Sequence, residues 1–206
     1  MRTRDGALAW VERGTAVLTA AVATLDEQTM SEPSRLPGWN RKHLFAHVAA
    51  NADALGNLVS WARTGQPTPM YSSPEQRGAD IEAGSRLPAD DLVRWLTRSA
   101  EVLVAAMGAL DDEQWSAEVV TAQGRTVGAT EIPWLRAREV CVHAVDLGIG
   151  VTFADLPHEF LAALVSDIQA KRGLADIPTG PLPEVAAYLA GRPHALTGVP
   201  DLGPWL

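Results

Sequence analysis

Four long segments of the chain carry apolar residues at intervals of three and four, the pattern of amphipathic helices that pack side by side. Asn40 can cap the second segment, and Pro133 is tolerated in the first turn of the fourth. Four helices of comparable length joined by loops predict a mainly α protein built on a four-helix bundle. The predicted segments are residues 5–30, 40–63, 78–110 (continuing after Pro88) and 130–147.

The remaining residues predict connections and a smaller C-terminal part. Residues 64–78 are rich in Pro and Gly, so we expect a non-helical loop, too long for a simple bundle turn. A short extended piece is expected at 118–121. After residue 150 the pattern changes to helices near 157–172 and 183–190. We therefore expect a helical domain over residues 1–150 and a small C-terminal domain or extension over 151–206.

Composition narrows the classes of function. The chain has 206 residues, 47% of them hydrophobic, which is enough to form a core. Its 17 Lys and Arg against 25 Asp and Glu give a net charge of -8, which argues against a nucleic-acid surface. The N-terminal residues show no signal-peptide pattern, and no long uncharged apolar run predicts a membrane helix. A single cysteine rules out an intramolecular disulfide, so we expect a cytoplasmic protein.

The fourth helix carries the most informative polar residues. At about 100° per residue, Glu139, His143 and Asp146 fall on one face of an otherwise apolar helix. Two ligands at positions i and i+4 can reach one ion, and inward-facing pairs of this kind build metal sites in helical bundles. His47 lies beside the core stripe of the second helix. We take His47, Glu139 and His143 as candidate ligands, because two histidines and a glutamate are a recognised set for catalytic zinc.

The same residues allow a simpler interpretation. A Glu and a His four residues apart often form a surface pair, and a lone histidine on an apolar face is often a core residue. The chain would then be a metal-free helical binding module. Cys141 lies roughly 200° around the helix from Glu139, so any thiol that acts at the site would have to come from outside the protein. No His-Glu-x-x-His motif is present, which disfavours a zincin-type protease.

Several blocks of the sequence form a combined pattern: Leu36–Trp39, His47 with Asn51–Ala54, Trp61–Thr64, Pro69–Tyr71, Arg77 with Ala79–Ala83, and Pro133–Glu139 through His143–Asp146. Together these blocks resemble the mycothiol-dependent maleylpyruvate isomerase family over roughly residues 5–157. The resemblance implies a DinB-like four-helix bundle with zinc held by His47, Glu139 and His143. It also implies a C-terminal part with strands, but residues 151–206 show few strand signals, so we expect this part to be shortened and either α or α+β.

The resemblance also implies an activity. The family converts maleylpyruvate to fumarylpyruvate, a cis-to-trans isomerisation in the gentisate pathway of aromatic catabolism, with the small thiol mycothiol as cofactor. The substrate is a dicarboxylate, and Arg77 and Arg192 match family arginines of the catalytic site. Asp146 could orient His143, whereas Arg136 and Arg138 flank the ligand face and are as easily solvated as bound to an anion. A mycothiol S-transferase of the same superfamily would need the same site and is the alternative enzyme.

Overall fold

Four long helices form the centre of the computed structural model, which describes residues 2–205. The four helices are α1 (Arg4–Val22), α3 (Arg41–Thr64), α5 (Ala89–Gly108) and α7 (Ile132–Asp146), with the short α2 (Glu27–Met30) between the first two. The helix α1 packs along α7, and α3 packs against both α5 and α7. The four-helix bundle predicted from the apolar periodicity is therefore confirmed.

Shorter elements connect and extend the bundle. After α5, a short helix leads into an antiparallel hairpin in which Val119 lies opposite Val127. Its first strand lies where the sequence predicts an extended piece. The shorter elements are α4 (Pro74–Gly84), α6 (Asp112–Ser116), β1 (Glu118–Val120), β2 (Thr126–Gly128), α8 (His158–Arg172) and α9 (Leu182–Leu189), with 3₁₀ turns at Ala129–Glu131 and Phe153–Asp155.

The prediction of one helix over residues 5–30 is wrong, because a capping residue divides it. The first helix ends at Val22, and Asp26 accepts a hydrogen bond from the backbone N–H of Thr29 at 2.8 Å. The Thr29 side chain in turn accepts from the backbone N–H of Asp26, which completes a capping box. A residue that caps a helix start has extended backbone, so the chain turns before α2 begins.

The loop predicted over residues 64–78 is also too long. The Ser73 side chain accepts a hydrogen bond from the backbone N–H of Gln76, and Pro74 occupies the first turn of α4. Proline is favoured at that position because its fixed φ angle suits a helix start and its missing N–H is not needed there. The predicted third helix is likewise two helices, α4 and α5, which end and begin on either side of Pro88.

A close approach between α1 and α7 fixes the position of the helix that carries the candidate ligands. A Cβ atom placed on Gly14 would lie 2.6 Å from Cys141 Sγ, nearer than two such atoms can approach. Glycine at this position therefore allows the two helices to pack closely. Cys141 is buried against α1, on the side of α7 away from the ligands, as its helical position predicts.

The C-terminal residues pack onto the bundle with a shared apolar core. Phe160 on α8 makes aromatic contacts with Trp10 on α1 and Trp134 on α7, with ring centroids 6.0 Å and 5.7 Å away. Residues 151–205 contain helices and no strand, so this part of the chain is helical rather than α+β. Its treatment as a separate domain stays a prediction. No helix of residues 2–205 combines the length and the hydropathy needed to cross a membrane.

Candidate metal centre

Three polar side chains from α3 and α7 meet in the bundle interior. Glu139 Oε2 lies 2.9 Å from His47 Nε2 and 3.3 Å from His143 Nε2, so both imidazoles point at the same carboxylate oxygen. One ligand atom from each residue lies within 4.8 Å of the other two. Two imidazole nitrogens and a carboxylate oxygen form the donor set of many catalytic zinc sites. The structure therefore brings the three predicted residues together, and their role as metal ligands stays a prediction.

Burial and hydrogen bonding determine the charge of Glu139. Burial by itself would raise the pKa of this carboxyl group, but hydrogen bonds from His143 and His47 outweigh it. The pKa of Glu139 is therefore held well below its usual value, and the residue stays an anionic acceptor between two imidazoles. A deprotonated carboxylate is the form that binds a cation.

The His143 side of the centre continues into the C-terminal segment. His143 Nδ1 lies 2.9 Å from Asp146 Oδ2, and Arg192 donates from Nε and Nη2 to the two oxygens of Asp146 at 3.1 Å and 2.8 Å. Burial would lower the pKa of His143, but Asp146 and Glu139 raise it to about 9. Burial would raise the pKa of Asp146, yet His143 and Arg192 hold it below its usual value. A carboxylate on the outer nitrogen orients a ligating imidazole.

The His47 side of the centre faces α4. Arg77 Nη2 lies 3.2 Å from His47 Nδ1, and the Trp39 ring stands 5.5 Å from the imidazole. Burial lowers the pKa of His47, although Glu139 acts against this. Arg77 is half-buried and lies on α4, not in a loop as predicted, so its position is fixed by the helix rather than free in solvent.

A cleft of about 590 Å³ opens beside α3 and α4. Tyr71, for which the sequence motifs predict no role, lines this cleft and also contacts Arg77, whose guanidinium carbon lies 5.9 Å from the ring centroid. The cleft is therefore connected by Tyr71 to the surroundings of His47. Other polar residues that line it are Asp53, Asn57, Gln76 and Asp80.

Both arginines of α7 are buried. Arg136, only 1% exposed, donates to the carbonyl oxygen of Val48 at 2.6 Å and to Asn51 Oδ1 at 3.0 Å. Burial lowers its pKa to about 10. Arg138 donates to Asp167 at 3.3 Å and lies beside the rings of Trp134 and Trp205. Neither arginine is solvated. Arg136 is hydrogen-bonded to α3, and α8 and the C-terminal tail cover Arg138.

Comparison with known proteins gives the family. The family model of the mycothiol maleylpyruvate isomerase N-terminal domain matches residues 11–148. A crystal structure of the mycothiol-dependent maleylpyruvate isomerase superposes with a TM-score of 0.90 at 36% sequence identity, covering 100% of both chains. The chain belongs to the mycothiol maleylpyruvate isomerase family. A second crystal structure, of a histidine-to-alanine mutant of that isomerase, gives the same identity, coverage and TM-score.

A more distantly related structure shares the fold of this chain. YfiT from Bacillus subtilis, described as a probable metal-dependent hydrolase with an unusual four-helix bundle topology, has a TM-score of 0.59 at 15% identity. The match covers 70% of this chain and 83% of the YfiT chain. No curated protein sequence matches significantly. The four-helix bundle predicted from the sequence is thus confirmed, whereas its DinB-like character stays a prediction. Membership of an isomerase family makes the chain an isomerase rather than a binding module.

Proposed function

We propose that this protein is a zinc- and mycothiol-dependent isomerase that converts maleylpyruvate to fumarylpyruvate in the gentisate pathway. One observation carries the proposal: His47 and His143 both point at one carboxylate oxygen of Glu139. The chain that holds them is 36% identical to a mycothiol-dependent maleylpyruvate isomerase along its full length. We place the protein in the cytoplasm, where a lone cysteine stays reduced.

The three converging residues would hold the metal, and their neighbours would keep them in position. Zinc at this centre would supply a positive charge that favours the thiolate form of a thiol near neutral pH. Asp146 accepts from His143 Nδ1 and leaves Nε2 directed at the centre. Arg192, with both Nε and Nη2 on Asp146, would serve catalysis by fixing that carboxylate. Other divalent ions also accept this donor set, so the choice of zinc rests on the catalytic sites that share it.

The reactive sulfur would come from mycothiol. Cys141, the one cysteine of the chain, is buried on the opposite side of α7 against α1, and burial raises its pKa to about 12. Such a thiol is neither accessible nor ionised at neutral pH. The neighbouring cleft is large enough for a small thiol, and Asp53, Asn57 and Asp80 offer acceptors for hydroxyl groups.

Arg77 would bind a carboxylate of the substrate. Its guanidinium lies beside His47, at the edge of the centre, and is half-buried, so a dicarboxylate can reach it. Mycothiol, when bound, would supply a thiolate that adds reversibly to the double bond, so that the resulting single bond could rotate before the thiolate leaves and the trans alkene forms.

Product analysis tests this proposal. We expect the purified protein, given maleylpyruvate and a small amount of mycothiol, to form fumarylpyruvate over many turnovers with the thiol recovered unchanged. Treatment with a chelator should stop the reaction, and added zinc should restore it. Accumulation of a stable thioether in place of fumarylpyruvate would contradict the isomerase and indicate the S-transferase.

A further inference from the structure

Tyr71 occupies the junction between the cleft and the metal centre. It lies in the connection between α3 and α4, is half-buried, and lines the cleft of about 590 Å³. Its ring faces the Arg77 guanidinium, which in turn contacts His47. Through Arg77, Tyr71 therefore links the cleft to the candidate centre.

The neutral amide donors that line the cleft, Asn57 Nδ2 and Gln76 Nε2, already donate to acceptors of the protein. Arg77 is the candidate partner of a substrate carboxylate. Arg136 is buried and directs Nη1 at α3. Asp53 accepts a hydrogen bond from the indole nitrogen of Trp95 at 2.7 Å. Burial raises the pKa of Tyr71 above its ordinary value, so its hydroxyl group keeps its proton at neutral pH and can donate.

The proposed reaction requires such a donor. Addition of a thiolate to a conjugated double bond places negative charge on the carbonyl oxygen, and a donor fixed in advance at that oxygen lowers the barrier. We propose that the Tyr71 hydroxyl group donates a hydrogen bond to the substrate carbonyl oxygen and stabilises the enolate. This role rests on the proposed function. Tyr71 would then be a catalytic residue, next to the arginine that binds the carboxylate.

The electrons balance in this scheme without another reactant. The carbon–sulfur bond forms as the π pair moves to the oxygen, and the Tyr71 hydroxyl group keeps its proton while its hydrogen bond shortens. After rotation, the pair returns to re-form the alkene and the carbon–sulfur bond breaks. The tyrosine, the thiol and the protein all end in their starting states.

The test is Tyr71→Phe, which removes one oxygen atom and keeps the ring that contacts Arg77. We expect kcat to fall by about 100-fold, the size of effect found when one oxyanion donor is lost. The KM for maleylpyruvate and the zinc content should stay unchanged. The matched control is Tyr188→Phe, at the other tyrosine of the chain, whose ring packs on His194 in the C-terminal part. We expect it to keep wild-type kcat and zinc content.

Three results would overturn the role of Tyr71. An unchanged kcat in Tyr71→Phe would show that the hydroxyl group does not act on the enolate. A raised KM with kcat unchanged would show that Tyr71 only positions Arg77. Absence of maleylpyruvate turnover by the zinc-loaded wild-type protein would overturn the proposed function itself, and the role of Tyr71 with it. Circular dichroism and zinc content confirm that each variant is folded before it is assayed.

Discussion

The two sides of the candidate metal centre are built differently. The inner side, which consists of His143, Asp146 and Arg192, is almost completely buried, and its charges are paired with one another. The outer side consists of His47, Arg77 and Tyr71, and Tyr71 lines the cleft. Within residues 2–205 no carboxylate pairs with the half-buried guanidinium of Arg77. The two histidines contact the same carboxylate, yet the pKa of His143 is raised to about 9 and that of His47 is lowered.

The difference indicates a division of tasks. A buried network with all its charges paired holds a ligand in one orientation and resists movement. A partly exposed cation beside a cleft is available to an incoming anion. We therefore expect changes on the inner side to affect metal binding and stability together, and changes on the outer side to affect substrate turnover with little change in stability.

Loss of either histidine should abolish the centre. We expect His47→Ala and His143→Ala each to remove stoichiometric zinc and to reduce turnover to background, because the remaining two ligands are too few for a catalytic site. Metal analysis of the purified variants measures this. The control is His43→Ala, one turn earlier on α3, where the side chain contacts Asn40 and Glu82 instead. Zinc retained in either ligand variant would contradict the assignment of that ligand.

Substitution of Arg192, on the inner side of the centre, should lower the stability of the protein. Its side chain is 4% exposed and that of Asp146 is fully buried, so Arg192→Met leaves a buried carboxylate without one of its two partners. We expect the free energy of unfolding to fall by about 3 kcal/mol and zinc affinity to fall by about tenfold. Urea unfolding of the variant, compared with Arg77→Gln, measures the first effect. Equal losses of unfolding free energy in the two variants would contradict the proposed difference between the two sides.

Substitution of Arg77 should affect the substrate instead. A hydrogen bond to a charged group contributes about 1.5–3 kcal/mol, so we expect Arg77→Gln to raise the KM for maleylpyruvate by about 10-fold to 100-fold. Zinc content should stay at the wild-type level, and the free energy of unfolding should change by less than about 0.5 kcal/mol, as at other partly exposed positions. Steady-state kinetics with varied maleylpyruvate provide the measurement. An unchanged KM would remove Arg77 from the substrate site.

The smallest effect is expected at Cys141. We expect Cys141→Ala to keep wild-type turnover within about twofold, because the sulfur that reacts is external. Burial raises the pKa of this thiol to about 12, from its ordinary value of 9.0, so it ionises more easily in the unfolded chain. Its contribution to stability should be present below pH 9 and decline as the pH rises from 9 towards 12. Thiol-labelling reagents should modify the native protein slowly; rapid labelling would contradict the burial.

Much of the fold and the ligand set follow from short-range patterns. The spacing of Glu139 and His143 by four residues places them on one face of a helix, whatever that helix packs against. The position of His47 relative to α7 is harder to predict, because it depends on how α3 and α7 pack. The helix caps at Asp26 and Ser73 were missed, since Asp and Ser are as common in loops as at helix starts. For that reason Arg77 was assigned to a loop instead of α4.

Long-range pairing accounts for what the sequence left open. The contact of Arg192 with Asp146 joins residues 46 positions apart and depends on how the C-terminal segment packs on the bundle. Arg136 and Arg138 gave no signal of burial, because charged residues are usually exposed and the helix that carries them is apolar on several sides. The cleft and the position of Tyr71 also depend on tertiary packing, which periodicity does not report.

Central to the proposed function is the claim that an external thiol reacts at a centre held by His47, Glu139 and His143. Replacement of the metal with cobalt(II) allows a direct measurement, because a thiolate that binds cobalt gives a charge-transfer absorption band. We expect no such band in the cobalt-loaded protein alone, and its appearance when mycothiol is added, in wild type and in Cys141→Ala alike. A band present before mycothiol is added, or none after saturation with mycothiol, would contradict the claim.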